Sequence, residues 1–142
     1  MAKVAIEEAR RRNKAAAPKT EKRESKYHAQ KVQGCLIDGT PHTFDSVKEA
    51  DRYAELAILQ RAGQISDLRV QVPFELVPKQ KKANGKTERP ILYVADFTYM
   101  QNGEKVVEDV KGYRDPSSAA YAKFTIKRKL MLWIHGIEVK EV

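Results

Sequence analysis

Tyr93-Val94-Ala95-Asp96-Phe97-Thr98-Tyr99, then Met100 to Lys105, then Val106-Val107-Glu108-Asp109-Val110-Lys111-Gly112, is the stretch that decides the fold of this chain. Both arms are rich in β-branched, aromatic and apolar residues. Asn102-Gly103 between them is a strong hairpin-turn signal. The spacing predicts two antiparallel strands. Side chains alternate faces along a strand, so Asp109 and Lys111 project to one side. Two acids and a lysine can then converge across adjacent strands. That set suits a divalent metal with a positioned water, and hence cleavage of a phosphodiester.

Outward from this hairpin, local signals place the other elements. Residues 31–37 and Thr43-Phe44 flank Asp38-Gly39, which predicts a short hairpin. Ser46 to Arg61 is a helix, opened by the capping-box sequence Ser46-Val47-Lys48-Glu49 and stopped by Gly63. Its apolar stripe is expected at Val47, Ala50, Ala54, Ala57, Ile58 and Arg61. Arg69 to Val77 is a strand whose Pro73 favours an edge or a bulge. Pro78 to Pro90 is a polar loop or hairpin tip. Asp115-Pro116-Ser117-Ser118 leads into a second helix, Ala119 to His135. Its stripe is Tyr121, Phe124, Arg128, Met131 and Ile134 with Leu130 beside it, and Gly136 caps it. Ile137 to Val142 alternates and closes the chain as a strand. The predicted class is α+β, a mixed α/β arrangement with helices packed on one sheet.

The chain has 142 residues, 42% of them hydrophobic, enough for one domain with a modest core. No apolar run approaches the roughly 18 residues of a membrane span, so no membrane partner is expected. The N-terminus lacks the apolar core of a signal peptide. Cys35 is the single cysteine, which fits a reducing, cytoplasmic setting. The formal net charge of +8 points to a polyanionic partner, usually nucleic acid. Residues 1–31 hold ten of the 27 basic residues and four of the 19 acids, so the excess sits mainly at the N-terminus. Residues 1–26 are read as a basic arm, disordered without DNA or simply solubilising, that carries Arg10, Arg11 and Arg12. The folded domain is expected over 27–142. A second basic cluster, Lys79, Lys81, Lys82, Lys86 and Arg89 against the single Glu88, marks the loop after the first long strand.

Asp96 is a carboxylate in an otherwise apolar strand, where Asp is depleted. It is either a solvent-facing strand end or a metal ligand. Asp109 is a surface ion pair with Lys111 or a second ligand. Glu108 points to the other face and is read as solvent-facing or structural. Glu49 is accounted for by the capping box, yet it can also reach the sheet, so both roles stay open. His28, His42 and His135 are scattered and are assigned no catalytic role. An all-oxygen set favours Mg²⁺, with Mn²⁺ able to substitute, over Zn²⁺.

Taken in series, Phe44-Asp45-Ser46-x-x-Glu49-Ala50-x-Arg52-Tyr53, Gly63-x-Ile65-Ser66-Asp67-Leu68 with Gln71 and Phe74-Glu75-Leu76, Tyr93-Val94-Ala95-Asp96-Phe97-x-Tyr99, Val107-Glu108-Asp109-Val110-Lys111-Gly112 and Gly136-Ile137-x-Val139-x-Glu141-Val142 resemble the small phage-type nucleases of the PD-(D/E)XK superfamily. The likeness covers residues 27–142. It implies a restriction-endonuclease-like core, a central mixed sheet flanked by helices. It also implies Glu49 as the helix carboxylate, Asp96 and Asp109 as metal ligands, the Val110 carbonyl completing the shell and Lys111 as the catalytic lysine. Lys123 and Lys127 would supply a basic residue from the second helix. Ala95 stands where the superfamily's name has Pro. Related phage enzymes are Holliday-junction-resolvase-like and recombination endonucleases, which makes branched DNA the implied substrate class and a homodimer the expected assembly. A phage enzyme would work in the host cytoplasm. Trp133 is either an anchor for that dimer or a core residue. Two other classes compete: a non-catalytic nucleic-acid-binding module, and a phage accessory protein on a nuclease fold.

Overall fold

The computed structural model describes residues 30–111 and 115–142. The proposed arm, with Arg10, Arg11 and Arg12, lies outside the described residues. The chain forms β1 (Val32–Cys35), β2 (Pro41–Phe44), α1 (Val47–Arg61), β3 (Ser66–Val77), β4 (Gln80–Lys81), β5 (Thr87–Glu88), β6 (Ile91–Gln101), β7 (Glu104–Asp109), α2 (Ala119–His135) and β8 (Val139–Glu141). β1 and β2 pair as a hairpin, and so do β4 and β5. The central sheet runs β3-β6-β7-β8. Its first two pairings are antiparallel and β7/β8 is parallel, which makes it mixed. A parallel pair needs a long crossover, and α2 supplies it.

The β6/β7 turn follows from its two residues. Asn102 and Gly103 both have positive φ, 52° and 80°, as a two-residue hairpin turn requires. Ser46 caps α1, and its Oγ accepts the Glu49 N–H at 3.1 Å. Ser118 caps α2 in the same manner through Tyr121 N–H. Gly136 ends α2 in the left-handed conformation, with φ 65°. Pro73 lies on β3, the outer strand of the sheet, where its missing N–H is tolerated. The two register shifts of β3 fall elsewhere, at Ser66/Arg69 and Glu75/Val77. The basic segment after β3 is a hairpin tip built on β4 and β5.

Two buried clusters hold the sheet to its helices. Phe44, Tyr53, Leu56, Ala57, Ile65, Phe97 and Tyr99 form the one under α1. Leu76, Tyr93, Ala95, Val107, Phe124, Met131 and Val139 form the one under α2. Burying a side chain of this size stabilises the fold by about 1.5–3 kcal/mol. On β6, Tyr93 and Ala95 serve the α2 cluster while Phe97 and Tyr99 serve the α1 cluster. Asp96 lies at the seam.

Two expected helix stripes shift. The buried side of α1 is Glu49, Tyr53, Leu56 and Ala57, whereas Val47 and Ile58 are 47% and 63% exposed. The larger surfaces of Tyr53 and Leu56 outweigh a stripe that is half alanine. On α2, Phe124 and Met131 are buried as expected, but Ile134 is 44% exposed. Trp133 is 85% exposed and is not a core residue. No helix among the described residues is long and apolar enough to cross a membrane.

Candidate active site

The β6/β7 ladder ends at Phe97↔Glu108. One residue further, the same register sets Asp96 across from Asp109, and there the strands part. The Val110 N–H that would have joined the ladder donates to Asp96 Oδ2 at 2.7 Å instead. Beyond this point the second strand is held from its other side. Val142 N–H donates to the Asp109 carbonyl at 3.0 Å, and Lys111 N–H donates to the Val142 carbonyl at 2.9 Å. A carboxylate has thus replaced a strand neighbour, and a pair of acids occupies the gap.

Lys111 is fixed in several ways. Its ammonium pairs with Asp109 Oδ2 and lies 3.6 Å from the Phe124 ring centroid, a cation–π contact contributed by α2. Its carbonyl accepts a hydrogen bond from Lys48 Nζ, which also donates to Val142 O at 3.1 Å. Lys48, next to Glu49 on α1, therefore ties the helix to the ends of the two strands at the site.

Glu49 is buried, and its Oε2 accepts the Asp45 N–H at 2.8 Å. That donor precedes the cap residue by one position. The cap engages one carboxylate oxygen, and the Glu49 charge also bears on Asp96. The capping role is observed, and the same side chain stands close enough to Asp96 for its charge to act there.

The crowding of acids shows in their protonation. Burial, reinforced by the Glu49 charge, pushes the Asp96 carboxyl up to about 6, against the opposing Val110 N–H. Burial likewise pushes Asp109 up to about 6, with Lys111 pulling the other way and Asp96 adding to the rise. Burial, and then the charges of Asp109, Asp96 and Glu141, hold the Tyr93 phenol protonated far above its ordinary range. The Tyr93 hydroxyl is buried with no hydrogen-bond partner among the described residues.

Glu108 is not solvent-facing. It is fully buried under α1 and held by the Arg52 fork, Nε to Oε2 at 2.9 Å and Nη2 to Oε1 at 2.8 Å. Tyr99 O–H adds a bond at 2.7 Å, and Lys140 Nζ stands 3.4 Å away. Burial opposes its charge, but Arg52 and Tyr99 outweigh that and keep the carboxyl below its ordinary value. Alternation along the strand correctly separates Glu108 from Asp109. What it omits is that a helix covers the second face.

The fold thus brings Glu49, Asp96, Asp109 and Lys111 to one place. For Val110 it shows an N–H on Asp96. Lys123 is exposed and Lys127 half-buried. Arg128 of α2 does reach the sheet, paired with Glu141, which lies beside Asp109 in the β7/β8 register. Lys48, Arg52 and Arg128 were not singled out from the sequence as site neighbours, and no local signal marks them. Lys79, Lys81, Lys82, Lys86 and Arg89 are exposed on the β4/β5 hairpin, where Lys82 pairs with Glu88. Among the described residues, no three His, Cys, Asp or Glu side chains stand in an arrangement that encloses a metal ion. Glu49, Asp96 and Asp109 each have an oxygen engaged, by Asp45, Val110 and Lys111 respectively. The donor chemistry nevertheless fits a hard cation, because Asp96 and Asp109, crowded together with raised pKa values, are relieved by added positive charge.

The chain belongs to a family described as "Protein of unknown function (DUF1064)", whose model matches residues 24–137. No curated protein and no solved structure matches it.

Proposed function

We propose that this protein is a metal-dependent DNA endonuclease with a restriction-endonuclease-like core. The carrying observation is the meeting of Asp96 and Asp109 where β6 and β7 part, with Lys111 beside them and Glu49 arriving from α1. Asp96 and Asp109 would hold Mg²⁺ or Mn²⁺, with Glu49 completing the set. When bound, such a cation lowers the pKa of a water and offsets charge on a scissile phosphate. Lys111, steadied by Phe124 and Asp109, positions the attacking water and faces the phosphate. Asp96 and Asp109 must be ionised to hold a cation, so binding weakens as the pH falls below about 6. The lysines of the β4/β5 hairpin contact phosphates, which makes DNA binding salt-sensitive. Branched DNA is the proposed substrate class, cut by a homodimer in the cytoplasm of a phage host.

The test is cleavage of labelled four-way junction, flap, linear duplex and single-stranded DNA with Mg²⁺, Mn²⁺ or EDTA, for wild type beside Asp109→Ala. Metal-dependent cutting that the variant lacks, with its DNA binding kept, supports the proposal. Binding without cutting under every metal condition refutes it in favour of a non-catalytic module. Capture of a protein partner with no affinity for nucleic acid would instead favour an accessory protein.

A further inference from the structure

Gln71 sits within β3 in a backbone conformation that any residue with a Cβ disfavours, at φ 51°. The pairs on either side, Val70↔Phe97 and Val72↔Ala95, keep one register, so no residue has been inserted. Asp67, with φ 53°, differs, because it lies inside the register shift between Ser66 and Arg69. Gln71 is also exposed, so its side chain contributes little packing. What the unusual backbone accompanies is a position. Gln71 and Asp96 fall between those two pairs and so face each other, and Gln71 Nε2 donates to Asp96 Oδ1 at 3.4 Å. The other oxygen of that carboxylate is taken by Val110 N–H. Asp96 is therefore gripped from both sides, by β3 and by the segment that follows β7.

We propose that Gln71 is a positioning residue, held in a strained conformation so that its amide orients the Asp96 carboxylate toward Asp109. This rests on the nuclease proposal and adds to it a residue that touches no reacting atom. Strain retained at an exposed side chain is an expense that the contact with Asp96 explains.

The test uses Gln71→Gly and Gln71→Met beside wild type and Asp109→Ala, reading melting temperature and the affinity for Mn²⁺ alone in the absence of DNA. Glycine tolerates the positive φ, so Gln71→Gly should melt about 3 °C higher. Its Mn²⁺ affinity should fall about tenfold, the lower end for losing a residue that orients a ligand. Gln71→Met keeps the length, loses the donor without adding a charge and should lose affinity as well. Higher melting with weaker binding is a combination that a purely structural Gln71 cannot give. Mn²⁺ affinity of Gln71→Gly within twofold of wild type, or a lower melting temperature, would overturn the inference. Wild type binding no Mn²⁺ at all would instead overturn the nuclease proposal, and the positioning role with it.

Discussion

Arg52→Met should destabilise the fold by about 3 kcal/mol at pH 7. Glu108 is fully buried and accepts two bonds from the Arg52 guanidinium, at 2.9 and 2.8 Å. Methionine keeps the aliphatic stem but removes both donors. Each charge-assisted bond contributes roughly 1.5–3 kcal/mol, and breaking a buried pair from one side costs about 3–5 kcal/mol. Tyr99 O–H remains on Glu108 and Lys140 Nζ stands 3.4 Å away, which places the loss at the lower end of that range. The pH dependence has a defined sign. The wild-type Glu108 carboxyl lies below its ordinary value in the fold, so its stabilisation is present above the unfolded pKa and lost as pH falls through the folded one. In the variant the buried carboxylate lacks its guanidinium and takes a proton more readily. The difference between variant and wild type should therefore shrink from pH 7 to pH 4. Adding Glu108→Gln should recover most of the loss, because the uncompensated charge is gone while an acceptor for Tyr99 remains. Urea unfolding of wild type, Arg52→Met, Glu108→Gln and the double variant at both pH values, followed by circular dichroism, makes the comparison. A loss under about 1 kcal/mol at pH 7, or a double variant no more stable than the single one, would refute the buried-pair account.

Three further outcomes follow from the same geometry. Tyr93→Phe removes a buried hydroxyl that has no partner among the described residues, so it should raise stability by about 1 kcal/mol in urea; a drop would reveal a bond that the hydroxyl makes. Asp109→Asn, which on the proposed nuclease reading abolishes cleavage, should stabilise the metal-free protein by about 2 kcal/mol at pH 8. The wild-type carboxyl, raised to about 6, contributes stability that is present at low pH and lost as pH rises through 6, so the gain should vanish near pH 4; a gain of equal size at both pH values would refute this. Trp133→Ala should change stability by less than about 0.5 kcal/mol, because the side chain is 85% exposed, and a larger, concentration-dependent loss in urea would show that another chain covers it.

The parts of the fold visible in the sequence are those fixed by nearby residues. Ser46 Oγ accepts the Glu49 N–H and Glu49 Oε2 accepts the Asp45 N–H within a single turn, and Ser118, Gly136 and Asn102-Gly103 act over a few positions. What the sequence hid depends on contacts distant in the chain. Glu108 meets Arg52 56 positions away, and only that meeting tells which face of β7 is covered. The stripe of α1 was misplaced for the same reason. Helical spacing permits either Val47 and Ile58 or Tyr53 and Leu56 inward, and the aromatic floor of Phe44 and Phe97 selects the second pair.

The pairing at the centre of the site is nonetheless a local consequence. A two-residue turn at Asn102-Gly103 makes Gln101 and Glu104 partners, and the register then runs without a break to Phe97↔Glu108. Counting back along both strands places Asp96 across from Asp109, and alternation places Lys111 on the same face as Asp109. The approach of Glu49 from α1 is not given by that counting. It requires α1 to reach the end of β7, and the Arg52–Glu108 pair holds it there together with Lys48 on the Lys111 and Val142 carbonyls. Arg52 follows Glu49 by one turn of the helix, and Glu108 precedes Asp109 by one residue on the strand. The buried pair and the site are thus two faces of one junction. A change that loosens Arg52 from Glu108 should loosen Glu49 from Asp96 even where the fold survives.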